Sequence, residues 1–205
     1  MKIGILGAGN IGGNLGRRWV AGGHEVLFGV RDAHNAKVQA LLDEIGSDAC
    51  AANVVDAFDY GEVVLLALPW QAVQETLEQA GDLLKGKILI DATNRLGAVA
   101  PGSLPSAAED IAKWVPEARV VKAFNSLGAE HLLNTQFGSQ QADTFICGDD
   151  EAAKAVVKQL AEDIGFGVID AGSLSNAHLL ESLAKLWITL SRRVGREIAF
   201  KLLQR

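Results

Sequence analysis

The segment Lys2-Ile3-Gly4-Ile5-Leu6-Gly7-Ala8-Gly9-Asn10-Ile11-Gly12 decides the fold of this chain. Its apolar residues predict a strand that ends at Leu6, and a helical pattern follows at Leu15, Trp19 and Val20. Glycines spaced G-x-G-x-x-G at such a junction make the tight turn, let the backbone approach a pyrophosphate and let the helix pack on the strand. The free N–H groups of the helix then face the anion. We therefore predict a dinucleotide site that includes Gly7, Gly9, Asn10, Ile11 and Gly12.

The end of the next predicted strand, Glu25 to Gly29, indicates which dinucleotide is bound. NAD sites usually carry Asp or Glu about 20 residues past the first glycine, whereas an Arg accommodates the 2′-phosphate of NADP(H). Here Arg31 follows the strand, and Asp32 comes only after it. A guanidinium can bind a phosphate through two parallel hydrogen bonds. We predict NADP(H) as cofactor with Arg31 as a ligand; for Lys37, phosphate binding and an ordinary solvated charge both stay open.

Composition narrows the class of protein. The 205 residues are 49% hydrophobic and 21% charged, which suits a soluble globular protein with either one large α/β core or a domain and a small appendage. The net charge of −6 argues against binding to nucleic acid or to an anionic membrane, because both need basic surfaces. No apolar stretch approaches the roughly 18 residues of a membrane helix. Isolated Cys50 and Cys147 predict buried thiols in a reducing compartment, and hence the cytoplasm.

Apolar runs of strand length alternate with helical segments, as in the βαβ units of a parallel sheet. The predicted fold is α/β: a Rossmann-type, doubly wound, mainly parallel sheet of eight strands with a long C-terminal helical segment. A capping box at Ser106 and Glu109 marks a further helix start. The strands are predicted near Lys2 to Leu6, Glu25 to Gly29, Ala49 to Ala52, Val63 to Ala67, Ile88 to Asp91, Val120 to Ala123, Thr144 to Cys147 and Gly167 to Asp170.

The last predicted helix, Asn176 to Leu203, carries apolar residues every three or four positions. At 1.5 Å per residue it would be about 40 Å long, with an apolar band too broad for one face of the sheet to cover. We therefore predict an NADP(H)-binding domain, 1–172, and a helical segment, 173–205, that completes the acceptor site and forms a homodimer interface. A kink at Gly195, giving two shorter helices folded on their own domain, is the alternative.

The common acid–base and metal motifs are missing from the sequence, so no catalytic residue and no metal ligand is predicted. The only tyrosine, Tyr60, is followed at the fourth position by Val64, which excludes a Tyr-x-x-x-Lys proton donor. G-x-S-x-G and H-E-x-x-H are missing as well. Lys185 lies where some dehydrogenases keep a proton-donating lysine. Glu181 precedes it by four residues, in the favourable order for a helical ion pair, and we expect that pair.

Polar residues follow several predicted strands, and doubly wound sheets bind ligands at these carboxyl ends. Leu68 and Pro69 are expected to wall one face of the nicotinamide. Asn94 and Asn125, with Ala123 beside them, are expected to bond its ribose or carboxamide; capping of turns is the alternative for both asparagines. For the second substrate we predict contacts with Trp70, Ser126, Leu174, Ser175, Asn176 and Trp187.

Several stretches carry a resemblance to known proteins. They are Gly7 to Gly12, His24-Glu25-Val26, Gly29-Val30-Arg31, Ala67-Leu68-Pro69-Trp70, Val121-Lys122-Ala123-Phe124-Asn125 and Asp170-Ala171-Gly172-Ser173-Leu174-Ser175-Asn176. Together they resemble the NADP oxidoreductases that use coenzyme F420, an 8-hydroxy-5-deazaflavin, and the oxidoreductase domain of the STEAP metalloreductases. The resemblance implies NADP(H) at the glycine turn and Arg31, with the nicotinamide stacked on a flavin-like ring. It also implies that the protein positions two rings and excludes water, so that no side chain must exchange a proton.

Departures from that pattern leave the acceptor open. The deazaflavin enzymes have a Leu-His pair in place of Phe124-Asn125 and a proline-containing turn in place of Asp91-Ala92-Thr93-Asn94, so there the chain is closer to the metalloreductase domain. We expect an enzyme that moves a hydride between NADP(H) and a small-molecule acceptor, either coenzyme F420 or FMN or FAD. One alternative is a pyrroline-carboxylate reductase-like enzyme acting on an imine or carbonyl, with Ser126, Lys185 or Thr93 as proton source. The other is a non-catalytic NADP(H) sensor.

Overall fold

The computed structural model describes residues 1–97 and 102–205, and an eight-stranded sheet organises them. Its strands are β1 (Lys2–Leu6), β2 (Glu25–Gly29), β3 (Ala49–Ala52), β4 (Val63–Leu66), β5 (Ile88–Asp91), β6 (Arg119–Lys122), β9 (Asp143–Gly148) and β10 (Gly167–Asp170), while β7 (Gln136–Phe137) and β8 (Gln140–Gln141) form a separate hairpin. The helices are α1 (Asn10–Ala21), α2 (Ala36–Ile45), α3 (Val54–Tyr60), α4 (Trp70–Glu78), α5 (Ala107–Trp114), α6 (Glu151–Glu162) and α7 (Ala177–Val194).

The strand order is β10-β9-β6-β5-β4-β1-β2-β3, and all neighbours from β6 to β3 pair in parallel. The predicted class, a doubly wound and mainly parallel sheet, is confirmed. The order reverses between β1 and β4, so their carboxyl ends diverge and open a crevice where such sheets bind ligands. β9 pairs antiparallel with β6, and β10 runs parallel to β9. The last two strands therefore point away from the edge at which the crevice lies.

Both faces of the sheet are covered, which explains its continuous apolar runs. Neighbouring residues of β4 enter different cores, because side chains alternate between the two faces of a strand. Val63 and Leu65 pack in one buried cluster with Trp19, whereas Val64 and Leu66 pack in the other. A one-residue change of register in this strand would exchange the two sets of contacts.

The C-terminal helix is shorter than predicted. α7 ends at Val194, where Gly195 adopts φ of +94° and ψ of 170°, a conformation that favours glycine and does not continue a helix. The residues beyond it form no second helix; they fold back on the domain. The Asp143 N–H donates to Phe200 O at 3.0 Å, and the Leu202 N–H donates to the Asp143 carboxylate at 2.7 Å. Both predictions, one long helix and two shorter ones, are therefore wrong for residues 196–205.

The two cysteines differ in environment. Cys147 is buried as expected, and burial raises the pKa of its thiol to about 12, so it stays protonated near neutral pH. Cys50 is exposed on the edge strand β3, which contradicts the prediction of a buried thiol. In residues 1–97 and 102–205 no helix combines the length and the apolar character needed to cross a bilayer.

Candidate functional site

The turn between β1 and α1 is shaped by its three glycines. Gly7 has φ of +102° and donates its N–H to Gly29 O at 3.1 Å. A Cβ on Gly12 would lie 2.0 Å from the Gly7 carbonyl oxygen, so only glycine lets α1 pack this closely on the turn. A Cβ on Gly9 would meet no atom of the described chain within 4 Å. Gly9 thus borders open space from which a ligand can reach the backbone.

The N-terminus of α1 is suited to an anion. Its N-cap residue, Gly9, supplies no side-chain hydrogen bond, and the first turn of this helix holds no acidic residue. The N–H groups at the start of the helix, near Asn10, Ile11 and Gly12, therefore keep their donors for a ligand. They also carry the positive end of the helix dipole, which favours a phosphate.

Cationic side chains stand beyond the end of β2. Arg31 and Lys37 are both exposed, and Lys37 is the second residue of α2, where its N–H is capped by Asn35 Oδ1 at 3.0 Å. The neighbouring carboxylate of Asp32 turns back into its own loop and accepts the His34 N–H at 2.9 Å. Two exposed cations and the N-terminus of α2 thus follow the strand end, an arrangement that attracts a phosphate group.

Asn94 and Asn125, which follow β5 and β6, interlock. Asn94 Nδ2 donates to Asn125 O at 2.8 Å, and Asn125 Nδ2 donates to Asn94 Oδ1 and to Leu180 O, both at 3.0 Å. Phe124 holds a left-handed φ of +60°, an uncommon conformation for this residue type, and so directs the chain into the pair. Asn125 is only 5% exposed, yet its Oδ1 has no hydrogen-bond partner within the described residues. A buried acceptor without a donor indicates a place for a ligand N–H or O–H.

A cluster of buried charges lies under the asparagine pair. Lys122 and Asp91 are 0% exposed and Glu181 is 3% exposed. Lys122 Nζ lies 2.7 Å from Asp91 Oδ2, 2.8 Å from Thr93 O and 3.3 Å from Glu181 Oε1. Sequence reasoning missed this cluster, although a lysine within the otherwise apolar run Val120 to Phe124 is itself a signal, because a fully buried ammonium needs a carboxylate partner.

The expected Glu181–Lys185 ion pair is wrong. Glu181 points into the protein, where its Oε1 also accepts the Ala107 N–H at the start of α5 at 2.7 Å. Lys185, one turn later on α7, is exposed, and within 1–97 and 102–205 no ion pair joins the two residues. The contact with Lys122 and the α5 N-terminus takes the carboxylate away from the helix surface, where the i,i+4 rule applies.

Leu68, Pro69 and Trp70 lie between β4 and α4, at the crevice. Leu68 Cδ2 is 3.1 Å from the position that a Gly7 Cβ would occupy, so it borders the glycine turn. Trp70 begins α4 and stacks on Trp114, with ring centroids 5.4 Å apart. The Trp70 indole is half-buried, and one of its faces packs on the Trp114 ring. Ala123 and Ser126, which precede and follow the Asn125 turn, are both buried.

The remaining predicted acceptor contacts do not gather at the crevice. Leu174, Ser175 and Asn176 follow β10, which runs opposite to β6, and the Leu174 N–H donates to Asp149, just past the end of β9. They therefore lie toward the other end of the sheet. Trp187 is buried on α7, and its Nε1 donates to Ile198 O at 2.9 Å, in the folded-back tail. The sequence analysis predicted a mainly parallel sheet without assigning the direction of each strand, so it did not address which end of the sheet these residues occupy.

Two groups of known proteins are similar to this chain. Residues 2–95 match the family described as NADP oxidoreductase, coenzyme F420-dependent. An F420-dependent NADP reductase of Methanothermobacter marburgensis is 35% identical, over 93% of this chain and 92% of the relative. The metalloreductase STEAP3 of Rattus norvegicus is 34% identical over 89% of this chain, which corresponds to 36% of that longer protein. The resemblance noted in the sequence is confirmed for both groups.

The fold has a close counterpart among solved structures. A protein of Arthrobacter sp. FB24, described as a candidate F420-dependent NADP reductase, superposes with a TM-score of 0.89. The two chains are 30% identical, and the superposition covers 100% of each. The similarity therefore includes the C-terminal segment as well as the sheet.

Proposed function

The chain belongs to the family of F420-dependent NADP reductases and is an NADP-dependent oxidoreductase, and from this premise we propose that it transfers a hydride between NADP(H) and coenzyme F420. The observation that supports this acceptor is that the F420-dependent NADP reductases match this chain over at least 90% of their own length, whereas STEAP3 matches over 36% of its length. The C-terminal segment contributes the Leu180 carbonyl, which accepts from Asn125 Nδ2, and Glu181, which pairs with Lys122.

The phosphates are proposed to bind at the two helix N-termini. The open space above Gly9 and the uncapped start of α1 fit a pyrophosphate that approaches the backbone. The exposed Arg31 and Lys37 fit the 2′-phosphate that distinguishes NADP(H) from NAD(H). The proposed ligands at the glycine turn are Gly7, Gly9, Asn10, Ile11 and Gly12.

The nicotinamide end is proposed to lie between Leu68 and Pro69 on one side and Ala123, Asn94 and Asn125 on the other. Asn125 Oδ1 supports this placement, because a carboxamide N–H would satisfy that buried acceptor. When bound, NADPH supplies the hydride and the deazaflavin ring accepts it. The protein's part is to hold the two rings at contact distance and to keep water out, which lowers the barrier without acid–base catalysis.

For the acceptor ring we propose contacts with Trp70 and Ser126. Each directly follows residues that wall the nicotinamide end, Trp70 after Pro69 and Ser126 after Asn125. The half-buried indole of Trp70, stacked on Trp114, offers a rigid apolar surface to a planar ring.

Oxidised coenzyme F420, FMN and a cyclic imine, each mixed with NADPH and the purified protein, test the proposal. Absorbance changes of NADPH and of the acceptor should show rapid reduction of F420 and slower or no reaction with the other two. Turnover restricted to FMN would support a flavin reductase, and turnover restricted to the imine would support the imine-reductase alternative. Tight NADPH binding without turnover of any of the three acceptors would favour a sensor.

We further propose a homodimer that uses α7 of the C-terminal segment, 173–205. Leu179, Leu186 and Val194 are 53%, 47% and 68% exposed. They lie about two turns apart on α7, so they share one face, and an exposed apolar stripe of this kind is typical of a subunit interface. The proposed location is the cytoplasm, where the free thiols of Cys50 and Cys147 would stay reduced.

A further inference from the structure

Lys122 connects three segments that meet at the crevice. Its ammonium has three N–H donors, and three acceptors surround it: Asp91 at the end of β5, the Thr93 carbonyl, and Glu181 on α7. The Asp91 carboxylate also accepts the Thr93 N–H at 2.8 Å and its hydroxyl at 2.7 Å. The turn after β5 is therefore fixed from both sides.

The same three segments carry the asparagine pair. Asn94 is the residue after Thr93, Asn125 lies three positions past Lys122, and the Leu180 carbonyl that receives Asn125 Nδ2 is adjacent to Glu181. The β5 segment and α7 supply the acceptors for Lys122, and each also supplies a group that is in the asparagine pair or bonded to it, while the β6 segment carries both Lys122 and Asn125. The charged cluster and the asparagine pair form two layers of a single junction.

Burial of these charges is costly for stability alone. An ammonium and two carboxylates are removed from water, and replacement of such clusters by apolar residues is often neutral or stabilising. The buried charges do fix geometry, however, because a fully satisfied polar network allows only one arrangement of the groups it joins. Asn125, whose Oδ1 has no hydrogen-bond partner within the described residues, is one of the residues held by that arrangement.

We propose that Lys122 is a positioning residue, which holds Asn94 and Asn125 so that the free Asn125 Oδ1 meets the nicotinamide end of the dinucleotide. This inference rests on the proposed function, since it assumes NADP(H) in the crevice. It assigns Lys122 no contact with the cofactor and no proton transfer. The Lys122 side chain acts through the Thr93 carbonyl and α7, and the asparagine pair makes the contact.

The test separates the two halves of the dinucleotide. Calorimetry would measure the affinity of wild type and Lys122→Met for NADPH and for 2′,5′-ADP, which carries the phosphate-bearing adenosine but no nicotinamide. We expect NADPH to bind about tenfold more weakly to Lys122→Met, equivalent to about 1.4 kcal/mol, with 2′,5′-ADP unchanged. Bound 2′,5′-ADP also demonstrates that the variant is folded.

Lys154→Met is the matched control. Lys154 is also a buried lysine, with Nζ 2.8 Å from both Asp170 and Glu151, but it lies on α6, away from the asparagine pair. It should leave both affinities unchanged. Equal weakening of NADPH and 2′,5′-ADP by Lys122→Met, or no weakening of either, would overturn the positioning role.

Two further variants cover the remaining outcomes. If Lys122→Met does not fold, Glu181→Gln removes one charge from the cluster and keeps the shape of the side chain. A selective loss of NADPH affinity is again expected, and an unchanged affinity overturns the inference.

A double variant tests whether Lys122 acts through Asn125. In an Asn125→Ala background Lys122→Met should cause little additional loss of NADPH affinity; fully additive losses argue against the inference. A wild-type protein that does not bind NADPH would instead refute the proposed function.

Discussion

Arg196 binds the carboxylate of Glu130 through Nε and through Nη2, the latter at 2.9 Å, and joins the tail behind α7 to the loop behind β6. The hydrogen bond from Arg196 lowers the pKa of Glu130 from 4.5 to about 2. Because the folded pKa lies below the unfolded one, the pair contributes its full stability above about pH 4.5 and loses it as the pH falls toward 2.

Glu130→Gln should therefore lower the melting temperature near neutral pH and have little effect near pH 2. The loss should be small, because both side chains reach solvent and exposed ion pairs contribute little. Thermal unfolding of wild type and variant across this pH range would measure it. Glu162→Gln, in the exposed pair with Lys158, is the control; a Glu130→Gln deficit that does not shrink in acid would contradict the assignment.

Arg31→Ala should weaken NADPH binding by about tenfold to a hundredfold, the scale of a lost hydrogen bond to a charged group. NADH lacks the 2′-phosphate, so its affinity should change little. Titration of both nucleotides into wild type and variant would give the two ratios. Lys37→Ala, measured in parallel, would decide between phosphate binding and a solvated charge at that position. Equal losses for NADPH and NADH would contradict the role of Arg31.

Gly9→Ala and Gly12→Ala form a matched pair. A Cβ on Gly9 meets no described protein atom, so this variant should unfold at nearly the wild-type temperature but bind NADPH poorly, since the methyl occupies the ligand's space. A Cβ on Gly12 lies 2.0 Å from the Gly7 oxygen, and such overpacking should cost about 1 to 3 kcal/mol of stability. Thermal unfolding and nucleotide titration separate the two effects; a Gly9→Ala variant with normal NADPH affinity would place the pyrophosphate elsewhere.

Leu186→Glu should convert the proposed dimer to a monomer, because a carboxylate would enter the apolar stripe of α7. Sedimentation of wild type and variant would show the change in mass. Val55→Glu is the matched control, since Val55 is also an exposed apolar residue on a helix, α3, outside the stripe. A wild-type protein that sediments as a monomer would disprove the interface.

The sequence predicted the parts of the fold that depend on local patterns. The glycine spacing located the first turn, apolar runs located the eight strands of the sheet within about two residues, and Ser106 with Glu109 forms the expected capping box. Strand direction follows from long-range packing instead. Local patterns therefore did not predict the reversal at β9, on which the placement of Leu174 to Asn176 depends.

The end of α7 and the partner of Glu181 could not be predicted from the periodicity of the sequence. Apolar spacing continued past Gly195, but α7 ends before that glycine, whose φ is positive. Glu181 and Lys185 have ideal spacing for a surface pair, yet Lys122, 59 positions earlier in the sequence than Glu181, competes for the carboxylate from the protein interior. The polar ends of β5 and β6 were found, because Asn94 and Asn125 follow their strands directly.

The folded-back tail has a consequence for how this protein can be handled. β6 ends at Lys122 and therefore does not extend alongside the start of β9. There the N–H of Asp143, the first residue of β9, donates to the Phe200 carbonyl of the tail. A recombinant version truncated after Val194 would leave that stretch of sheet edge bare, and bare edges recruit strands from other molecules. Such a product should precipitate during purification, and affinity tags belong on a flexible linker beyond Arg205, where they spare these last hydrogen bonds.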